Sequence, residues 1–209
     1  MSLFTKLFHF VLFTVQKHGV DDSHGLMHSM DVLNFAHNIY KSEVDKIPAL
    51  KSQERLIYVS AIIHDMCDKK YMNETVGIGE IEYFLQGKID NAEIAAVKDI
   101  VGTMSYSTVM KKGFPDLGEF QSAYHIVREA DLLSAYNFDR SMIYHMQRSN
   151  TDIQVAYQNA FELFENRVLR HEIDGLFTTE YAKQESRILH TGSLRRIQAW
   201  RTILKTPHF

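Results

Sequence analysis

The sequence of 209 residues contains one cysteine, three prolines and ten glycines. A single thiol, Cys67, cannot close an internal disulfide. That excludes the disulfide-stapled secreted domains and fits an intracellular, cytoplasmic setting. Glycine and proline together reach about half of their usual share of roughly 12%, too few turn-formers for a many-stranded sandwich or barrel. A basic excess is also missing: 23 Lys and Arg face 26 Asp and Glu, for a net charge of −3. The electrostatic footprint of a nucleic-acid polymer binder is therefore absent. Nor is there a long apolar run. LFTKLFHFVLFTV, from Leu3 to Val15, is interrupted by Lys6 and His9 and is shorter than the roughly 20 residues of a bilayer span. No small-residue cleavage site follows it. It reads as a first helix packed on the core, and no membrane partner is expected.

What is present is the balance of a globule with a core: 45% hydrophobic and 23% charged residues. Apolar residues at helical spacing predict helices near 2–17, from about His24 to before Pro48, and over 50–66, 76–87 and 91–104. Further helices are expected near 119–135, 137–149, 151–171 and 178–204, with 67–75 and 105–118 as loops. Asp21, Asp22 and Ser23 offer capping side chains for the second helix. No segment combines two-residue alternation with hairpin signals, and no repeat or linker divides the chain. The expectation is one all-α domain.

Eleven histidines stand in the chain. His24 and His28 are four residues apart and share a face if both are helical. His64 and Asp65 end an apolar helix reading VSAIIHD. A carboxylate carried into a core costs several kcal/mol unless it is paired or binds a cation. Asp131, flanked by Ala130, Leu132 and Leu133, poses the same problem. Two such carboxylates with histidines available suggest a divalent metal. Taken singly, each has a plainer reading: Asp65 as a cap for the following loop, Asp131 as a partner of Arg128 or Arg140. Cys67 reads as a small buried side chain, and Glu80 and Glu82 as complements to a helix N-terminal dipole. His9, His18, His37, His145, His190 and His208 have surface or packing roles as their default, while His125 and His171 are within reach of a cleft.

The order of these features resembles the HD-domain phosphohydrolases, an all-α superfamily that holds a divalent metal with an H…HD…D set. DDSHGLMHSMDV is similar to the D-x-S-H-[GD]-x-x-H-x-x-R-V opening of a small subgroup. HDMCDKKY resembles its H-D-x-x-D-x-K-[FY], VGTMSYS its I-x-x-[IM]-S-[FY]-S, and READLLSAYNFDR its x-D-A-D-x-L-x-A-x-x-x-x-R. The resemblance implies a single-domain HD-type helical bundle over 1–209, with a motif core at about 21–140 and C-terminal helices over 141–204. It implies His28, His64, Asp65 and Asp131 as metal ligands. Asp68 would orient or deprotonate a water, Lys70 would neutralise phosphate oxygens, and His24 would contact a substrate phosphate. Helix capping remains the alternative for Ser23 and His24. Three positions depart from the pattern: Asp31 and Leu132 stand where arginines are usual, and Ser134 where an acid is. Those departures fall near the family's substrate side.

A two-histidine, two-carboxylate set suits manganese, magnesium, iron, cobalt or zinc. The implied activity is hydrolysis of a phosphoester or phosphoanhydride in a small nucleotide. Two alternatives are a regulatory or binding scaffold that retains the fold and a di-iron oxygenase. The oxygenase needs extra histidines between the His-Asp pair and the final Asp, where only His125 falls.

Overall fold

The computed structural model describes residues 1–205, and its regular structure there is entirely helical. Ten α-helices are joined by loops and 3₁₀ turns: α1 Leu3–His18, α2 Leu26–Glu43, α3 Glu54–Ile63, α4 Glu74–Leu85, α5 Asn91–Thr103, α6 Tyr106–Lys112, α7 Gln121–Ser134, α8 Phe138–Ser149, α9 Ile153–Asn166 and α10 Glu180–Lys205. None of them is long and apolar enough to cross a membrane.

Helix α3 is the centre. Every residue from Leu56 to Ile63 is buried, because α1, α2, α5 and α7 pack around it. That explains an apolar run without a polar face: a helix enclosed on all sides needs none. Each fully buried Leu or Ile there contributes about 1.5–3 kcal/mol relative to exposure. Helix α2 lies along both α3 and α7, so three neighbouring helices hold one another at the core.

Local signals set many of the ends. Ser2 accepts the Thr5 amide to start α1, and Gly19 ends it with φ of 63°, a left-handed conformation that suits glycine. Asp90 and Glu93 form a reciprocal capping box at α5. Helix α10 is fastened at both ends. The buried Glu129 of α7 accepts from the amides and hydroxyls of Thr178 and Thr179, at 2.6–3.2 Å, just before α10 begins. Further along, Asp139 accepts from Arg196 and from the Trp200 indole at 2.7 Å.

Four expectations need correction. Residues 105–118 are not one loop, because Ser105 caps the Thr108 amide and starts α6. The second helix begins at Leu26 rather than His24. Asp21 instead caps a 3₁₀ turn over Asp22–His24, and Gly25 opens α2 without a side-chain cap. The helix expected over 151–171 stops at Asn166, where Arg167 leaves helical geometry, and a 3₁₀ turn follows. Glu80 and Glu82 sit in the middle and last part of α4, away from its N-terminus. Glu80 pairs with Lys17 and His18, and Glu82 with Lys98. His208 lies outside the described residues.

Candidate metal centre

Three helices deliver four side chains to one point. His28 comes from the first turn of α2, His64 and Asp65 from the C-terminal end of α3, and Asp131 from α7. The two histidine Nε2 atoms face each other at 3.0 Å. Asp65 reaches them at 3.1 and 3.3 Å, and Asp131 Oδ1 at 3.4 and 3.6 Å. At metal–ligand distances of about 2.0–2.2 Å, ligands subtending about 90–110° stand about 2.8–3.6 Å apart. The observed separations fall in that range. His28, His64 and Asp65 form the tighter group, with ligating atoms all within 4.8 Å of one another. Asp131 approaches from the other helix.

The far side of each imidazole is equally defined. His64 Nδ1–H donates to the Ala61 carbonyl at 2.9 Å. The Ser134 hydroxyl donates to the Asp131 carbonyl at 2.8 Å, so its oxygen is free to accept from His28 Nδ1–H at 3.3 Å. Both rings therefore carry their proton on Nδ1 and turn the Nε2 lone pair inward, the arrangement of metal-ligating histidines. Without a cation, two lone pairs at 3.0 Å would repel, and one ring must protonate. Burial opposes charge on His64, but the charge of Asp65 and hydrogen bonds with Asp131 and Asp65 outweigh it and hold its pKa well above the usual range. Burial, assisted by the charge of Arg140, lowers that of His28. Burial would raise the Asp65 and Asp131 carboxyls, yet the two histidines outweigh it and hold both well below the usual range. Two carboxylates and two imidazoles thus hold one another's charge at a single point. Asp65 Oδ2 is buried with no hydrogen-bond donor, which also fits a cation held between these residues.

The cluster opens into a cavity of about 340 Å³ whose walls include His24, Asp68 and Lys70 as well as the four side chains above. Asp68 accepts the Lys70 amide at 2.9 Å and pairs with the Lys70 ammonium at 3.3 Å. Lys70 Nζ stands 3.4 Å from His24 Nε2. Because His24 lies in the 3₁₀ turn, the helical-face relation with His28 does not apply. The two rings still meet edge-on, 5.9 Å apart. Behind His24, Asp21 accepts from the Ser23 and Tyr71 hydroxyls. Burial would raise the Asp21 carboxyl, but hydrogen bonds from His24, Ser23 and Tyr71 prevail and hold it low.

Other residues fall elsewhere. Arg128 pairs with Glu129, and Arg140 donates to the Ser23 carbonyl at 3.1 Å; neither pairs with Asp131. The Asp65 carboxylate faces the histidines rather than capping the next loop. Cys67 is buried, which pushes its thiol up to about 12. His125 is bound by Gln121 and Arg128, and His171 is enclosed by Tyr106, Tyr136 and Phe177; neither lines the cavity. Asp31 and Leu132 do not line it either, and Leu132 is buried in the core. The third departure, Ser134, supports His28 from behind. Sequence reasoning missed Tyr144, His145 and Arg167 in the cavity wall. Tyr144 and His145 lie on α8 beyond the last motif and Arg167 just after α9, so only the folded chain brings them there.

The fold and the cluster together define an all-helical protein with a buried histidine–carboxylate centre. No protein-family model and no curated protein matches the chain. Solved structures similar to it include two bacterial proteins. One is a Lactobacillus plantarum protein determined as a structural-genomics target, with a TM-score of 0.70 and 18% identity over 99% of this chain and 100% of that one. The other is Bacillus subtilis YpgQ, with a TM-score of 0.64 and 17% identity over 99% of each. The likeness is one of fold.

Proposed function

We propose that this protein is a divalent-metal-dependent phosphohydrolase acting on a small phosphorylated molecule, a nucleotide in first place. The observation that carries the reading is the convergence of two inward-facing Nε2 lone pairs with the Asp65 and Asp131 carboxylates. The resemblance of the surrounding motifs to HD-domain phosphohydrolases supplies the reaction class.

His28, His64, Asp65 and Asp131 would hold the ion, and the donor set admits manganese, magnesium, iron, cobalt or zinc. A dication bound there supplies Lewis acidity toward a water and a phosphate oxygen. Asp68 is the chain's candidate to orient that water and take its proton. Its carboxylate is held by the Lys70 amide, so its direction is fixed. The Lys70 ammonium, beside Asp68 and His24, balances charge that builds on the phosphate oxygens. His24, backed by the Asp21 network, contacts the phosphate from the same side.

The test is metal analysis of the purified protein, followed by a phosphate-release screen over nucleotides with each of the five metals. Metal-dependent release that disappears in Asp65→Ala is expected. Lys70→Ala should retain metal and lose turnover. A protein that binds no divalent metal and is not activated by manganese would be the metal-free scaffold instead. Oxygen-dependent turnover with two irons per chain would favour the oxygenase, but His125 lies away from the cavity and gives that reading no support.

A further inference from the structure

We propose that Arg167, together with Arg140, binds ligand phosphate oxygens that lie beyond the candidate metal centre; the inference rests on the phosphohydrolase reading. Arg167 lies outside every motif, at the point where α9 ends and the backbone departs from helical geometry, with φ −137° and ψ −66°. Its side chain lines the same cavity as His28, His64 and Asp131. The guanidinium lies over the Tyr106 ring, 4.2 Å from its centroid, which fixes the plane of the donor fork.

What the guanidinium lacks is an anion. Among the described residues no carboxylate comes within ion-pair distance of it, and its Nε is buried with no hydrogen-bond partner. A half-buried cation with idle donors is costly, and such groups are ordinarily paired. Burial opposes its protonated state and the charge of Arg140 adds to that, while the charges of Asp131 and Asp68, both beyond ion-pair distance, favour it; a guanidinium stays charged in proteins. Arg140 lines the same cavity and spends one N–H on the Ser23 carbonyl, which leaves further donors of its fork to offer. Two neighbouring arginines facing one cavity, one of them without an ion-pair partner among the described residues, form a receptor for a dianionic group. Arginine forks match phosphate oxygens two at a time. With a dication in place the two carboxylates of the centre would be balanced by it, and the favourable charge of Asp131 on Arg167 would be offset.

The experiment is calorimetric titration of the full chain, with manganese bound, by methylenediphosphonate, a non-hydrolysable diphosphate mimic. Manganese binding and melting temperature are measured alongside. Arg167→Gln is expected to weaken the mimic by about 10- to 100-fold, the worth of charge-assisted hydrogen bonds, with manganese affinity unchanged. Arg167→Lys keeps the charge without the fork and should lose roughly 3- to 10-fold. It also serves if the glutamine variant folds poorly. Arg187→Gln, an exposed residue paired with Glu172, should bind as wild type. Wild-type affinity in both Arg167 variants would overturn the assignment while leaving the phosphohydrolase reading standing. Loss of manganese in both would also overturn it, by moving Arg167's role to the centre. Failure of the manganese-loaded wild-type chain to take up the mimic would overturn the assignment, while the phosphohydrolase reading would still be decided by metal analysis and phosphate release.

Discussion

His171 makes the fold sensitive to acid through one side chain, and its effect has a calculable size. The ring is fully buried among Tyr106, Tyr136 and Phe177, and neither nitrogen has a hydrogen-bond partner. Burial, helped by the charge of Arg167, lowers its pKa from 6.5 to about 3. The unfolded chain therefore binds a proton below pH 6.5 that the folded chain refuses. Stability from this residue is complete above pH 6.5 and is lost as pH falls toward 3. Between pH 7 and pH 5 the loss covers 1.5 pH units below 6.5, or about 2 kcal/mol at 1.36 kcal/mol per unit. His171→Phe keeps an aromatic ring in an aromatic pocket and removes the titration. Urea unfolding of both proteins at pH 7, 6 and 5, with chelator present, isolates the effect as a difference of slopes. The variant should lose about 2 kcal/mol less than wild type over that range, whatever its absolute stability. Parallel pH profiles for the two proteins would refute the reasoning.

Three further outcomes are expected. His64→Ala and Asp65→Ala should each abolish manganese binding while the helical circular dichroism stays near that of wild type; retained binding in either would remove that residue from the centre. Ser134→Ala takes away the oxygen that accepts His28 Nδ1–H, and loss of such a supporting contact costs about 10- to 100-fold in metal affinity. The readout is competitive titration with a chromophoric chelator. Gly77→Ala would drive a methyl group to 2.6 Å from the Cys67 Cα and 2.8 Å from its Cβ. Thermal unfolding should register a loss of about 1–3 kcal/mol from this overpacking, and the displaced segment carries Asp68 and Lys70.

The helices were legible where the apolar period was long. α3 could be read from its apolar run and α7 from apolar positions at helical spacing, and their ends were read to within a few residues. α6 was hidden because its helix is short and follows serine and glycine, residues equally at home in a loop; only the Ser105 cap distinguishes it. The start of α2 was misread because Asp21, Asp22 and Ser23 are good caps, and the cap they form belongs to a 3₁₀ turn. At the site, carboxylates in apolar context pointed to Asp65 and Asp131, since the cost of burying a charge is written in its neighbours. Arg167 offered no such clue. It follows a helix whose pattern reads as ordinary packing, and its place in the cavity depends on contacts between segments far apart in sequence.

The grip of Glu129 on Thr178 and Thr179 ties the tail of the chain to the same helix that carries Asp131, two residues further on. Deletion of the chain from Thr178 onward would leave Glu129 in the interior with its four threonine donors gone and Arg128 as its remaining partner. Damage at the far end of the polypeptide would thus travel along a single helical turn to the histidine cluster. Shortened versions made for convenience should be expected to lose the centre before they lose their helices.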